Sequence, residues 1–218
     1  MASERSYYIV VEGPIGVGKT TLVNKLAEAL ETRTVFEEFD ENPFLENFYS
    51  DRDRYAFHTE MFFLMARFKQ QEQFAQADLF KPYAVSDYLW EKCRLFAQLT
   101  LPEAELSLFD RVFHICSRYI PIPDLVIYLH APLNTLLSRI EQRGRTYEQG
   151  MDADYIRSLS GAYEDFFRTF RACPVVSVDT TDLNFATSDS AVQLIVDTLH
   201  RRPTTPLRLP ADQLSLFE

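Results

Sequence analysis

The sequence predicts an α/β fold: a doubly wound, five-stranded parallel sheet with helices on both faces. Three observations predict it. Short apolar runs alternate with helical patterns along the chain, and such alternation builds a parallel sheet covered on both sides. A glycine-rich segment, "GPIGVGKT" (13–20), separates the first strand from the first helix. Hydrophobic residues make up 46% of the 218, which is ample for one core of that kind.

"YYIVVEG" (7–13) is a short apolar run ending in glycine and reads as a buried strand. "KTTLVNKLAEALE" (19–31) has helical periodicity, and "TVFEEF" (34–39) is the second strand. Residues 53–77 form a helix rich in Phe and Gln, and "YAVSD" (83–87) is the third strand, followed by helices to about 119. Pro121 and Pro123 introduce the fourth strand, "DLVIYLHA" (124–131). Helices follow near 133–142 and 152–171, then a fifth strand, "PVVSVD" (174–179), and a last helix over 187–200. Residues 1–200 thus read as one domain, and 201–218 as a proline-bearing tail ending in "QLSLF". Three prolines within eight residues make 201–210 an extended linker.

The formal net charge is −10, which opposes general binding to nucleic acid or to an anionic membrane. No apolar run is long enough to span a bilayer, and the N-terminus has no signal-peptide h-region. Cys93, Cys116 and Cys173 show neither metal spacing nor a disulfide framework, so a reducing cytoplasm is expected.

"GPIGVGKT" satisfies the phosphate-loop pattern G-x-x-x-x-G-K-[ST] in the strand–loop–helix context that the pattern requires. Gly13, Gly16 and Gly18 let backbone N–H groups converge on phosphate oxygens, and the helix N-terminus adds its dipole. Lys19 is placed for the β- and γ-phosphates, and Thr20 for Mg²⁺. A nucleoside triphosphate is therefore expected at 13–20. "RIEQRGRTYEQG" (139–150) gathers Arg139, Arg143 and Arg145 in an acidic chain. They either complement the C-terminus of a helix ending at Gly144 or form a lid that neutralises a transferring phosphoryl group; the phosphate loop favours the lid.

With these segments in order, the chain resembles the deoxynucleoside kinase family of P-loop kinases, from Tyr8 to about Leu199, and its bacterial deoxyguanosine/deoxyadenosine branch more than the animal enzymes. "EGPIGVGKTT" resembles the family's phosphate loop, which includes Thr21, and "RIEQRGRTYEQG" its arginine lid. "EEFDENPFLENFY" (37–49) resembles the segment with the catalytic glutamate, and "VDTTDLNF" (178–185), with Asp182, the loop that holds the adenine of ATP. The resemblance implies transfer of the γ-phosphoryl of Mg·ATP to the 5′-hydroxyl of a deoxynucleoside by a homodimer. It makes Glu37 the general base, with Glu38 its neighbouring rival, and assigns Tyr49 and Glu148 to the sugar 3′-hydroxyl. Without it, Glu37 reads as part of a solvated acidic run with Asp40 and Glu41. A monophosphate kinase such as thymidylate kinase, or a non-catalytic subunit on the same fold, are the alternatives.

"RYAFHTEMFFLMARFKQ" (54–70) resembles the helix that reads the base. Glu60 stands where the family commonly has glutamine, with Arg67 two turns further on. An ionised glutamate only accepts, and guanine presents N1–H and N2–H₂ side by side, so deoxyguanosine is favoured; a protonated Glu60 serves adenine or cytosine. Arg67 is expected at guanine O6 and N7. Phe63 and Phe96 are candidates to stack on the base. "SDYLWEK" (86–92) departs from the family's acidic-Arg-Ser pattern: Asp87 supplies the acid for the metal, Tyr88 replaces the arginine, and Lys92 or Arg94 compensates. "QLSLF" resembles the motif that docks bacterial DNA enzymes on the sliding clamp, with Gln213 at the pocket rim and Leu214, Leu216 and Phe217 as anchors. Clamp binding that survives alanine at Leu216 and Phe217 would contradict that assignment.

Overall fold

Tyr7–Glu12 (β1) is the central strand, and all but its first residue are buried. The computed structural model describes residues 6–76, 82–145, 148 and 152–209. Among these, β1 is followed by the helices Lys19–Leu30 (α1), Leu45–Ser50 (α2) and Arg52–Gln76 (α3), with the strand Arg33–Val35 (β2) after α1. The strand Tyr83–Ser86 (β3) leads into Lys92–Thr100 (α4) and Glu103–Ser117 (α5). Leu125–His130 (β4), Leu133–Arg143 (α6), Ala153–Thr169 (α7), Val175–Asp179 (β5), Asp189–His200 (α8) and Leu207–Leu209 (β6) complete the order.

All strand pairs are parallel, in the order β2-β3-β1-β4-β5-β6. Side chains alternate across a strand, and the two faces of β1 separate accordingly. Ile9 and Val11 pack into the core shared with Leu22, Leu26, Ile195 and Leu199 of α1 and α8. Tyr8 and Val10 pack with Phe166, Phe167 and Phe170 at the end of α7. This is the expected doubly wound α/β arrangement.

The strand count is corrected from five to six. Within the 201–210 segment read as linker, Leu207–Leu209 adds a parallel edge strand, with Val176 opposite Leu207 and Val178 opposite Leu209. Pro206, immediately before it, is tolerated because an edge strand needs fewer ladder donors. The second strand is shorter than expected because the Glu37 N–H leaves the ladder for Asp87 Oδ1, at 2.8 Å. The QLSLF segment, 213–217, lies outside the described residues.

Backbone geometry explains two of the loop glycines. Gly13 has φ +153°, and a Cβ there would lie 2.2 Å from the Leu129 carbonyl oxygen. Gly16 has φ +84°, and its Cβ would lie 2.8 Å from the Leu136 carbonyl oxygen. Only glycine permits that backbone and that approach to β4 and α6.

Candidate active site

Parallel strands bring their C-terminal ends to one edge of the sheet, and ligands of such folds bind outside that edge. Gly13 follows β1, Glu37 follows β2 and Asp87 follows β3, so three distant segments meet there. The helices α3, α4 and α6 close a cavity of about 590 Å³ in front of them. It takes in Gly16, Gly18, Lys19, Thr20 and Thr21 of the loop, Glu37 and Tyr49, and Glu60, Phe63 and Arg67 of α3. It also takes in Asp87, Lys92, Phe96, Arg139, Arg143, Arg145 and Glu148. Six basic and four acidic side chains therefore line a cavity in a chain of net charge −10. The local sign is reversed where an anion has to bind.

The loop and the metal-type donors are in register. Lys19 Nζ donates to the carbonyls of Gly13 (2.7 Å) and Pro14 (3.1 Å). Burial pulls the Lys19 ammonium down to about 8, and repulsion from Lys92 adds to the effect. Thr20 Oγ1 donates to Asp87 Oδ2 at 3.2 Å. One hydroxyl and one carboxylate at the phosphate loop fit a magnesium ion, which takes its remaining oxygen ligands from phosphates and water.

Glu37 is the most strongly held acid. Its Oε1 accepts from Arg67 Nε at 2.9 Å and also from Arg67 Nη2. Its Oε2 accepts from Lys92 Nζ at 2.5 Å. Burial alone would push the Glu37 carboxyl up; Arg67 and then Lys92 outweigh it and hold the group well below the ordinary carboxylate range. The neighbouring Asp87 moves the other way, raised by burial and then by the charge of Glu37. Glu38 does not line the cavity.

Arg67 is placed differently from the expected guanine contact. All three guanidinium nitrogens donate to protein groups, Nε and Nη2 to Glu37 and Nη1 to Cys93 Sγ at 3.0 Å. Glu60 is 3% exposed and accepts from Thr100 Oγ1 at 3.2 Å. Burial pushes its carboxyl up to about 7; Arg67 and the Thr100 hydroxyl pull it down, Glu37 pushes it up, and Lys92 pulls it down.

The three arginines separate. Arg139 turns to the loop after β5: Nη1 donates to Thr180 Oγ1 at 3.0 Å, and Nη2 to the carbonyls of Thr180 (2.6 Å) and Leu183 (2.8 Å). The tight 180–183 turn presents several acceptors at once, and a planar guanidinium satisfies them together. Arg143 donates to both oxygens of Glu148, at 3.1 and 2.5 Å, and Arg145 lies 3.7 Å from Glu148 Oε1. Arg145 also stacks on the Phe39 ring, 4.0 Å from its centroid. Glu148, expected at the sugar, is thus gripped by two lid arginines. Asp182 is exposed and off the cavity wall, which Leu183, Asn184 and Phe185 form instead. Arg94 pairs with Asp110 at 2.8 Å, away from the cavity, whereas Lys92 lines it.

The sequence reading also missed Glu12. This carboxyl is 1% exposed; Oε1 accepts from the Gly13 N–H at 2.8 Å and the Tyr163 hydroxyl at 3.0 Å, and Oε2 from the Leu89 N–H at 2.8 Å. It ties the start of the phosphate loop to the segment after Asp87 and to α7. An acidic residue at the end of an otherwise apolar strand was the available signal.

A glycine loop at a helix N-terminus, a buried carboxylate held by two cations and three arginines on one cavity make up the site expected of a P-loop phosphotransferase. The deoxynucleoside kinase family model matches residues 9–202. The chain is 37% identical over 177 residues to a deoxyguanosine kinase of Bacillus subtilis (strain 168), covering 80% of this chain and 86% of the relative. It is 34% identical over 196 residues to a deoxyadenosine/deoxycytidine kinase of the same organism, covering 87% and 89%. A solved deoxyadenosine kinase from M. mycoides has the same fold, with a TM-score of 0.78 at 24% identity, covering 89% of this chain and 99% of that one. The chain belongs to the deoxynucleoside kinase family. It is therefore a transferase with an alcohol group as acceptor.

Proposed function

We propose that this chain transfers the γ-phosphoryl group of Mg·ATP to the 5′-hydroxyl of a deoxynucleoside, with deoxyguanosine favoured above neutral pH. The observation that carries the proposal is the Glu37 carboxylate, held across the cavity from Lys19 and Thr20 by two cations. Glu37 orients the 5′-hydroxyl. A bond forms from that oxygen to the γ-phosphorus, the bond from phosphorus to the β–γ bridging oxygen breaks, and the hydroxyl proton passes to Glu37 as ADP leaves. A depressed carboxylate is a weak base, but the transition state is loose and the proton leaves late, so positioning matters more than basicity. Thr20 and Asp87 would hold the magnesium ion, which neutralises phosphate charge when bound. Arg143 and Arg145 close on the phosphoryl group, and Arg139 shapes the 180–183 loop for the adenine. Tyr49 and Glu148 take the sugar 3′-hydroxyl, and Phe63 and Phe96 flank the base.

The base is read chiefly by Glu60. As a carboxylate it accepts from guanine N1–H and N2–H₂; protonated, it donates and accepts, as adenine requires. The groups around it are Arg67, Thr100, Glu37 and Lys92, and Tyr155 of α7. With its carboxyl at about 7, guanine selects the form present at higher pH. The ratio of kcat/KM for deoxyguanosine over deoxyadenosine is expected to rise by about tenfold per pH unit between pH 6 and 8, and to lose that slope in Glu60→Gln. A flat ratio in the wild-type chain contradicts the reading of Glu60.

A homodimer is part of the same proposal. Leu108 and Ile115 of α5, with Tyr119 and Ile122 beyond it, are 49%, 61%, 67% and 64% exposed. Large apolar side chains exposed along one helix and its exit, interrupted by Arg111, suit burial against a second copy. Sedimentation equilibrium is expected to give twice the chain mass, and Ile115→Lys with Tyr119→Lys to give the monomer. A wild-type monomer at micromolar concentration overturns this part.

A further inference from the structure

The acidic-Arg-Ser pattern has its cation at position 88, and this chain has Tyr88 there. Tyr88 is fully buried, and its hydroxyl donates to Gln70 Oε1 at 3.0 Å and accepts from Gln71 Nε2 at 3.2 Å. It is not part of the cavity wall. Its ring supports α3 and carries no charge to the phosphate loop.

Lys92 is the next cation on that segment, at the first turn of α4. Its side chain is 8% exposed, and Nζ sits between Glu37 Oε2, at 2.5 Å, and the Phe96 ring, 5.6 Å from the centroid. The charge balance at Glu37 is uneven: one carboxylate faces two cations. The two cations are not held alike. Arg67 is fixed by donors to both Glu37 and Cys93. Lys92 has one ion-pair partner among the described residues and a flexible four-carbon stem. Lys92 can turn from Glu37 while Arg67 keeps that carboxylate paired. It is also close enough to Lys19 for the two ammonium groups to repel, a pairing that a polyanion between them reverses.

We propose that Lys92 is a catalytic residue that supplies the phosphoryl-site cation absent from position 88, pairing with Glu37 and contacting a γ-phosphoryl oxygen in the transition state. This rests on the reading of Glu37 as the group that orients the 5′-hydroxyl. A preorganised donor aimed at developing charge is worth about 100- to 1,000-fold in kcat.

The test is steady-state kinetics with Mg·ATP and the best deoxynucleoside, with the nucleoside Kd measured separately by calorimetry. Lys92→Gln keeps an N–H donor for Glu37 and removes the charge. It is expected to lower kcat by at least about 100-fold, with the nucleoside Kd changed by less than about threefold because the base contacts remain. Lys92→Arg is expected to recover at least about a tenth of the wild-type rate, and added ethylammonium to restore part of the rate of Lys92→Ala. Arg94→Gln, outside the cavity at a residue paired with Asp110 of α5, keeps the wild-type kcat. If Lys92→Gln turns over within about threefold of wild type, or loses nucleoside affinity as steeply as kcat, the proposal is overturned. Should Lys92→Gln fail to fold, Lys92→Arg and the amine rescue decide, and absence of both recoveries overturns it. A wild-type chain that phosphorylates no deoxynucleoside removes the kinase reading itself, an outcome separate from all of these.

Discussion

Glu37→Gln is expected to lower kcat by about 1,000-fold, within the range for losing a positioned general base. The amide still accepts from one cation but cannot take the hydroxyl proton. Nucleoside affinity is expected to stay within a few-fold, because Glu60 and the aromatic walls are untouched. The substitution also leaves Arg67 and Lys92 facing a neutral group in a buried site, so stability falls as well, by roughly 3 kcal/mol. The pH dependence has a definite sign. Glu37 is held below its ordinary value of 4.5 by Arg67 and Lys92 against the cost of burial. Its contribution to stability is therefore fully present above about that ordinary value and is lost as pH falls toward the folded-state value. Near neutral pH, Glu37 contributes no acid limb to kcat; titration of Glu60, near 7, governs base choice instead. Rate and urea-unfolding curves of the variant measure both effects, and a kcat within tenfold of wild type contradicts the role of Glu37.

Glu12→Ala is expected to have the largest effect on folding. It strips the acceptor from two backbone N–H groups, Gly13 and Leu89, and from the Tyr163 hydroxyl, all in the interior. Each buried donor left without a partner costs about 1–3 kcal/mol, so a loss of about 4 kcal/mol is expected from chemical denaturation. Glu12→Gln retains one acceptor oxygen but sets an NH₂ group against a donor, and should lose about half as much. Tyr163→Phe removes only one bond and should cost about 1 kcal/mol. Because Gly13 opens the phosphate loop, the folded fraction of Glu12→Gln should also show a raised KM for ATP. A loss below 1 kcal/mol in Glu12→Ala contradicts this account of the loop's support.

The parts legible in the sequence are those whose physics is local. The phosphate loop could be read because its glycines, Lys19 and Thr20 lie within eight residues between a strand and a helix. The strands β1, β3 and β4 could be read because strands buried on both faces are continuous apolar runs, and β5 because its buried valines alternate with half-buried residues. The parts that could not be read depend on distant partners. Leu207–Leu209 is a strand only because β5 offers an open edge; by itself, a short run between prolines reads as a linker. The arginine cluster was visible, but not its division, because the Thr180 and Leu183 carbonyls that take Arg139 come from another segment. The Lys92–Glu37 pair spans 55 positions, and the Arg67–Cys93 contact depends on how α3 meets α4. Glu37 was separable from its acidic neighbours only through the family resemblance. In the structure its two buried cations distinguish it without that help.

The most direct test of the account is turnover of Mg·ATP with each of the four deoxynucleosides at pH 8, with the product identified by phosphorus NMR and Glu37→Gln as control. The account predicts the 5′-monophosphate and ADP in equal amounts, deoxyguanosine leading, and both products lost in the variant. Absence of a 5′-monophosphate from all four, with the chain folded and ATP bound, would contradict it.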